Sequence, residues 1–231
     1  MIIEINKLKK IYAGRTVTDI EQLTINTGET VGVVGNNGAG KTTLFRMLLD
    51  LIRPDSGEIL SKGKNVAAAD QWKQYTASYL DEGFLIDYLT PEEYFIFIGG
   101  LHHMGPREVM DYLHGYEEFF NGEILERGKY IRDFSKGNQN KIGITASLMQ
   151  QPELLVLDEP FANLDPTTQI RLKAHLRLLK SGKLTTLISS HDLNHVTDVC
   201  DRIILFEKGK VIKDIYTTEN TLEELEAYFS Q

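Results

Sequence analysis

The apolar run Thr30-Val31-Gly32-Val33-Val34 leads directly into Gly35-Asn36-Asn37-Gly38-Ala39-Gly40-Lys41-Thr42, and this pairing restricts the fold more than any other stretch. A run without polar alternation reads as a buried parallel strand, and Thr42 to Leu51 reads as the helix that follows it. Glycines between the two reach dihedrals closed to other residues. Successive N–H groups can then converge near the positive end of the helix, which is how a backbone cradles phosphate oxygens. The G-x-x-x-x-G-K-[ST] spacing fits that use. Gly35, Asn36, Asn37, Gly38, Ala39, Gly40 and Thr43 would form the cradle, Lys41 would bridge the outer phosphates, and Thr42 would place a hydroxyl on magnesium. The ligand implied is ATP or GTP.

The rest of the composition narrows the setting. With 231 residues, 42% of them hydrophobic, the chain can bury a sizeable core, and a single α/β domain is favoured. No apolar run reaches the roughly 18 residues of a membrane helix. The opening Met1-Ile2-Ile3-Glu4-Ile5-Asn6 lacks the charged-then-apolar layout of a secretory signal. A soluble, cytosolic chain is the expectation. Cys200 is the single cysteine, which excludes an internal disulfide and a cysteine-based zinc cluster. A net charge of −8 argues against broad binding to a nucleic-acid backbone, and no nucleic-acid partner is expected. Lys7, Lys9 and Lys10 read as a solvated strand edge, and His102, His103, His114, His175 and His195 as surface or core residues.

Strand signals cluster in residues 1–80 and 152–231: Ile2 to Ile5, Leu23 to Ile25, Glu58 to Leu60, Leu154 to Leu157, Leu184 to Ser189 and Arg202 to Phe206. Between them, from Thr90 to Gln151, apolar residues recur at helical spacing. Thr90 can cap a helix there, with Pro91 at its first position and Glu93 at its third. This reads as an α-helical segment inserted into an α/β core.

The strand Glu153-Leu154-Leu155-Val156-Leu157 ends in Asp158-Glu159-Pro160, which puts two carboxylates at the C-terminal edge where open α/β sheets bind ligands. Asp158 would hold magnesium, directly or through water. Glu159, one residue further on, would orient and deprotonate the water that attacks a γ-phosphate.

Taken in order, five segments resemble the motifs of the ATP-binding cassette (ABC) ATPases. They are the phosphate loop, Phe134-Ser135-Lys136-Gly137-Asn138, Leu157-Asp158-Glu159-Pro160, Ala162-Asn163-Leu164-Asp165 and Ser189-Ser190-His191-Asp192. The resemblance runs across nearly the whole chain. It implies a P-loop NTPase core, a mixed sheet with helices on both faces and an antiparallel β edge subdomain. One nucleotide-binding domain would span 1–231, its core at 1–82 and 152–231 and its inserted helical subdomain at about 83–151. It implies a head-to-tail dimer, a homodimer in the simplest case, in which each ATP lies between the phosphate loop of one subunit and Ser135, Lys136, Gly137 and Asn138 of the other. Ser135 at the start of a helix running from Asn138 to Gln150 suits that role, and it is equally an N-cap. His191 matches the switch histidine that bonds the γ-phosphate. Asp165, with Asn163, matches the loop through which each subunit senses the other's site, and it also reads as the cap of a helix begun by Pro166. Tyr12 matches the aromatic that stacks on adenine, and Val17 the small apolar residue beside the base.

The resemblance also implies work as the ATPase of a membrane transporter, of exporter type, on separate permease subunits at the inner face of the cell membrane. Two rivals stand beside it: a soluble cassette ATPase of DNA repair or translation, and a phosphoryl transferase. The chain departs from the family at two places. The signature is commonly Leu-Ser-Gly-Gly-Gln, whereas Phe134, Lys136 and Asn138 replace three of the five. Lys136 is either an added charge facing the opposing phosphates or a solvated lysine. At Tyr79-Leu80-Asp81-Glu82 the family has a magnesium-contacting glutamine; Glu82 takes that position, or Asp81 if the match slips by one. Phe84-Leu85-Ile86-Asp87-Tyr88-Leu89 is too apolar for an ordinary loop and either receives a partner helix or packs on the chain's own helices.

Overall fold

The computed structural model describes residues 1–180 and 184–230, less the side chain of Glu82. Alternating apolar residues near the N-terminus form an antiparallel ladder of β1 (Ile3–Tyr12) and β2 (Arg15–Ile25). Ala13 and Gly14 turn it, both at positive φ. Next come β3 (Thr30–Val34) and α1 (Lys41–Leu48). β4 (Ser56–Ser61) and β5 (Lys64–Asn65) complete a four-stranded antiparallel sheet of order β2-β1-β4-β5. β6 (Thr76–Tyr79) belongs to a second sheet. Four helices follow it along the chain: α2 (Pro91–Leu101), α3 (Pro106–His114), α4 (Glu117–Phe120) and α5 (Lys136–Leu148).

The remainder alternates between strand and helix: β7 (Leu154–Asp158), α6 (Pro166–Lys180), β8 (Thr185–Ser190), α7 (Leu193–Val199), β9 (Arg202–Glu207), β10 (Lys210–Tyr216) and α8 (Thr221–Phe229). The second sheet has the order β10-β9-β3-β8-β7-β6, and all its pairings are parallel except β10 with β9. β3, the strand before the phosphate loop, lies inside it and is buried throughout.

Period-two alternation divides this sheet's side chains between two apolar layers. Val31, Val33, Leu154, Val156, Leu187, Ile204 and Phe206 face the layer built from α1 and the antiparallel sheet. Val34, Leu155, Leu157, Ile188, Ile203 and Leu205 face the layer of Phe95, Ile142, Leu172, Val196 and Leu225, which come from α2, α5, α6, α7 and α8. Each fully buried Leu or Ile contributes about 1.5–3 kcal/mol, so a strand such as β7, buried at every position, is held from both sides.

Helix ends follow local chemistry. Thr90 and Glu93 form the capping box their spacing predicts: the Glu93 N–H donates to Thr90 Oγ1 at 3.3 Å, and the Thr90 N–H donates to Glu93 Oε2 at 2.9 Å. α1 stops at Leu48 rather than Leu51 because Asp50 turns left-handed (φ 53°). The Leu51 N–H then reaches Arg46 O at 2.9 Å and the Asp50 N–H reaches Met47 O at 3.1 Å, the bond pair of a Schellman ending. α5 begins at Lys136, ahead of Asn138, because Ser135 caps it by accepting the Asn138 N–H at 3.3 Å. The seven-residue strand β10 carries no signal recognised in the sequence, since its exposure alternates along an edge.

One buried cation joins the two sheets. Arg202 on β9 meets both carboxylate oxygens of Asp214 at 2.6 Å, and its Nη1 donates to Thr24 O at 2.9 Å and Glu29 Oε2 at 3.2 Å. Arg202→Ala is expected to cost about 2–3 kcal/mol, read from urea unfolding. That lies below the value for a fully buried pair because the Asp214 side chain keeps 35% of its exposure. Arg202→Lys should recover little of the loss, since an ammonium lacks the planar fork.

Candidate nucleotide site

Sheet register assembles the site. Val34 pairs with Ser190 on one side and Leu205 on the other, and Asp158 pairs with Ser189, so the C-terminal ends of β3, β7 and β8 open onto the same edge. Gly35 leaves β3 so close to β9 that a Cβ there would stand 2.1 Å from Phe206 O. Gly40 has φ 109°, and its Cβ would stand 2.5 Å from Val17 O. The loop is pinned at both ends of this passage: the Ala39 N–H donates to Asn36 O at 3.0 Å, and the Gly209 N–H donates to Ala39 O at 2.8 Å.

Lys41 opens α1 and is buried. Its Nζ folds back over the loop to donate to Gly35 O at 2.6 Å, and it lies 3.6 Å from Glu159 Oε1. Thr42 Oγ1 donates to Asp158 Oδ2 at 2.6 Å, while Ser189 Oγ donates to Asp158 Oδ1. Burial pushes the Asp158 carboxyl above its ordinary pKa, against the hydrogen bonds from Ser189 and Thr42 and with the Glu159 charge adding to the rise. Asp158 is 7% exposed, so a carboxylate sits in a dry place with hydroxyls as its partners, and a hard cation would relieve it. Among the described residues no cluster of three or more His, Cys, Asp or Glu could hold a metal alone, so an ion here would take further oxygens from the ligand.

Glu159 is left-handed (φ 49°), a conformation uncommon outside glycine. Its N–H is held by Ser189, at 3.0 Å to Oγ and 3.2 Å to O. That twist turns the side chain out of the strand so that Oε1 faces Lys41 and Oε2 meets His191 Nδ1 at 2.9 Å. A carboxylate fixed between an ammonium and an imidazole, beside a phosphate cradle, has the makings of a base.

A cavity of about 330 Å³ lies against the loop, lined by Val17, Asn37 to Thr43 and Glu159. Tyr12 is not among the lining residues. It stands 48% exposed at the end of β1, with Lys10 Nζ 5.3 Å from its ring centre. Ser135 to Asn138 do not line the cavity either; Ser135 and Lys136 are exposed at the start of α5, and Gly137 is buried. Asp165 caps α6, with Oδ1 accepting the Thr168 N–H at 3.0 Å and Oδ2 the Thr168 hydroxyl at 2.5 Å; those bonds hold its carboxyl below the usual range. Glu82 opens a short 3-10 turn, Glu82–Phe84, and its side chain lies outside the described residues. Asp81, the other candidate there, accepts the Gly83 N–H at 2.7 Å and lies 3.7 Å from Arg46.

Two contacts of the site are absent from the sequence reading. Ser189 bonds both acidic residues, and the hint of it is a hydroxyl near the end of an apolar strand, two residues before His191. Gly137 lies so near the loop after β7 that a Cβ would be 2.4 Å from Asn163 O, which packs the signature against the Asn163 to Asp165 segment. The reading of Phe84 to Leu89 as packed on the chain's own helices holds in part: Leu85 is buried and Ile86 and Leu89 pack on the core, whereas Phe84 and Tyr88 are 52% and 64% exposed.

A family profile described as "ABC transporter" matches residues 19–162. The chain belongs to this family. YhaQ, an ABC transporter ATP-binding protein of Bacillus subtilis, is 34% identical over 91% of this chain and 70% of its own length. NatA of the same organism, also an ABC transporter ATP-binding protein, is 32% identical over 90% of this chain and 83% of its own. The daunorubicin resistance ATP-binding protein DrrA3 of Streptomyces coeruleorubidus is 32% identical over 97% and 70%. The chain spans from 57% to 83% of the length of eight curated relatives it matches. An ATP-binding subunit of an ABC transporter has the same fold, with a TM-score of 0.85 at 24% identity over the whole of both chains. So has a dimeric ATP-binding cassette bound to ADP and Pi, at 0.82, 20% identity, 94% of this chain and 99% of that one. The mixed sheet, its helices and the antiparallel sheet beside it are thus the ABC ATPase architecture.

Proposed function

We propose that this chain is the ATP-binding and ATP-hydrolysing subunit of an ABC transporter, energising transport through separate transmembrane permease subunits. The observation that carries the reading is Glu159: left-handed, bonded through its backbone to Ser189, its carboxylate held between Lys41 and His191 one residue beyond buried Asp158. The triphosphate lies in the cradle from Gly35 to Thr43, its outer phosphates displacing the Gly35 carbonyl as partner of Lys41. Val17 flanks the base and Tyr12 stacks on it. Thr42 and Asp158 would hold Mg²⁺, with Glu82 as a further oxygen ligand, and the ion would supply charge neutralisation on the phosphates. Glu159 takes the proton of the attacking water, and His191 orients the γ-phosphate and steadies Glu159.

Two copies act head to tail, a homodimer in the simplest assembly. Ser135, Lys136, Gly137 and Asn138 of one close on the nucleotide of the other, and Asp165 lies at the junction. The division into a core at 1–82 and 152–231 and a helical subdomain at about 83–151 suits this, because the signature then moves with the inserted helices. No helix of the described residues is long and apolar enough to cross a membrane. In this reading the subunit reaches the cytoplasmic face of the membrane through its permease, whose helix seats by the exposed Phe84 and Tyr88. DrrA3's name, drug resistance, supports the lean to export.

Phosphate release from ATP and Mg²⁺ with no acceptor present tests the chemistry, and its absence would point to a phosphoryl transferase. Affinity capture of the chain from detergent-solubilised cells should bring a multispanning membrane protein, with Phe84→Asp weakening capture and sparing ATP binding. Recovery of nucleic acid in its place would return the reading to DNA repair or translation.

A further inference from the structure

Helix α5 grips the turn that carries Glu159, and the grip is set from the neighbouring strand. Asn140 on α5 donates through Nδ2 to Ala162 O at 2.8 Å, and the Ala162 N–H donates to Glu159 O at 3.0 Å, closing the turn from Glu159 to Ala162. Asn140 is 5% exposed, so its oxygen also needs a partner. Tyr79 at the end of β6 provides one, its hydroxyl donating to Asn140 Oδ1 at 2.7 Å. The Tyr79 ring lies flat on the helix where Gly143 leaves room, since a Cβ there would come within 2.1 Å of ring atom Cε2. A larger residue at 143 would push the hydroxyl off its target.

We infer that Tyr79 and Asn140 are a positioning pair for hydrolysis, holding the Glu159 to Ala162 turn so that Glu159 keeps its left-handed conformation. The inference rests on the reading of Glu159 as the base. Neither residue lines the cavity against the loop, and their action passes through the Ala162 carbonyl. An amide can face two ways in a dry pocket. The flipped form would set Asn140 Oδ1 against Ala162 O, two acceptors with no proton between them, and the Tyr79 hydroxyl proton rewards the form that donates to Ala162. Losing that proton loosens a strained turn, which persists only while its surroundings over-determine it.

Tyr79→Phe keeps the ring and removes the proton. In the intact chain it should lower kcat for ATP by roughly tenfold while the Kd for ATP stays within about twofold. Hydrogen exchange at the amides of Glu159 and Ala162 should speed up. Asn140→Asp, which faces an oxygen to Ala162 O, should do the same or more. In a Glu159→Gln background Tyr79→Phe should add no further loss, because the group it positions has gone. Unchanged kcat, a parallel weakening of ATP binding, or an additive loss in that background would each overturn the pair. If the unaltered chain released no phosphate at all, the ATPase reading would fail, and exchange at Glu159 and Ala162 would still decide the pair: unchanged protection in both variants overturns it.

Discussion

Glu159→Gln should bind ATP at least as tightly as the unaltered chain and hydrolyse it about 10²–10⁴ times more slowly, the range general-base catalysis supplies. Glutamine is close to isosteric and can still meet His191, which now stands 2.9 Å from Oε2. Its backbone accepts the left-handed conformation no less readily than glutamate's. What changes is charge: an acid 3.6 Å from the Lys41 ammonium is lost, so the phosphates meet less repulsion. Nucleotide binding and single-turnover phosphate release separate the two effects, and with ATP the variant should accumulate as a dimer on gel filtration. Turnover at the original rate would remove Glu159 from the chemistry.

Gly40→Ala should abolish nucleotide binding and lower thermal stability. At φ 109° any side chain is strained, and this one would also stand 2.5 Å from Val17 O and 3.0 Å from the Phe206 ring. Strain of about 1–3 kcal/mol and the clash add to roughly 3 kcal/mol or more. For a chain of this size that is a fall of about 6–12 °C in Tm, measurable by calorimetry. Gly38→Ala is the control. Its φ is 81°, yet nothing lies within 4 Å of its Cβ, so the cost is the dihedral alone and binding should survive in weakened form.

Local chemistry made much of this molecule legible in advance. A capping box, a glycine loop between strand and helix, and two acids ending an apolar strand each act over a few residues, so Thr90, Lys41 and Asp158 were found where their patterns put them. What depends on distant partners was not. Ser189 contacts Asp158 and Glu159 across 31 and 30 positions of sequence. Gly137 is small because Asn163 O lies against it, and Asn140 is buried between Tyr79 and Ala162. Edge strands such as β10 escape for a related reason: half their side chains face water, so the apolar signal is thin.

β3 has β8 and β9 as its neighbours, and those begin at Thr185 and Arg202. A nascent chain therefore carries Thr30 to Val34 with neither edge satisfied until Thr185 and the residues after it have been made, while the hairpin of β1 and β2 can close at once. Such non-local pairing folds late and leaves an apolar strand open to mispairing. The strand that leads into Gly35 thus waits for Arg202 and the residues after it before both its edges are paired, and C-terminal truncations before Thr185 should leave ribosomes with chains that depend on chaperones.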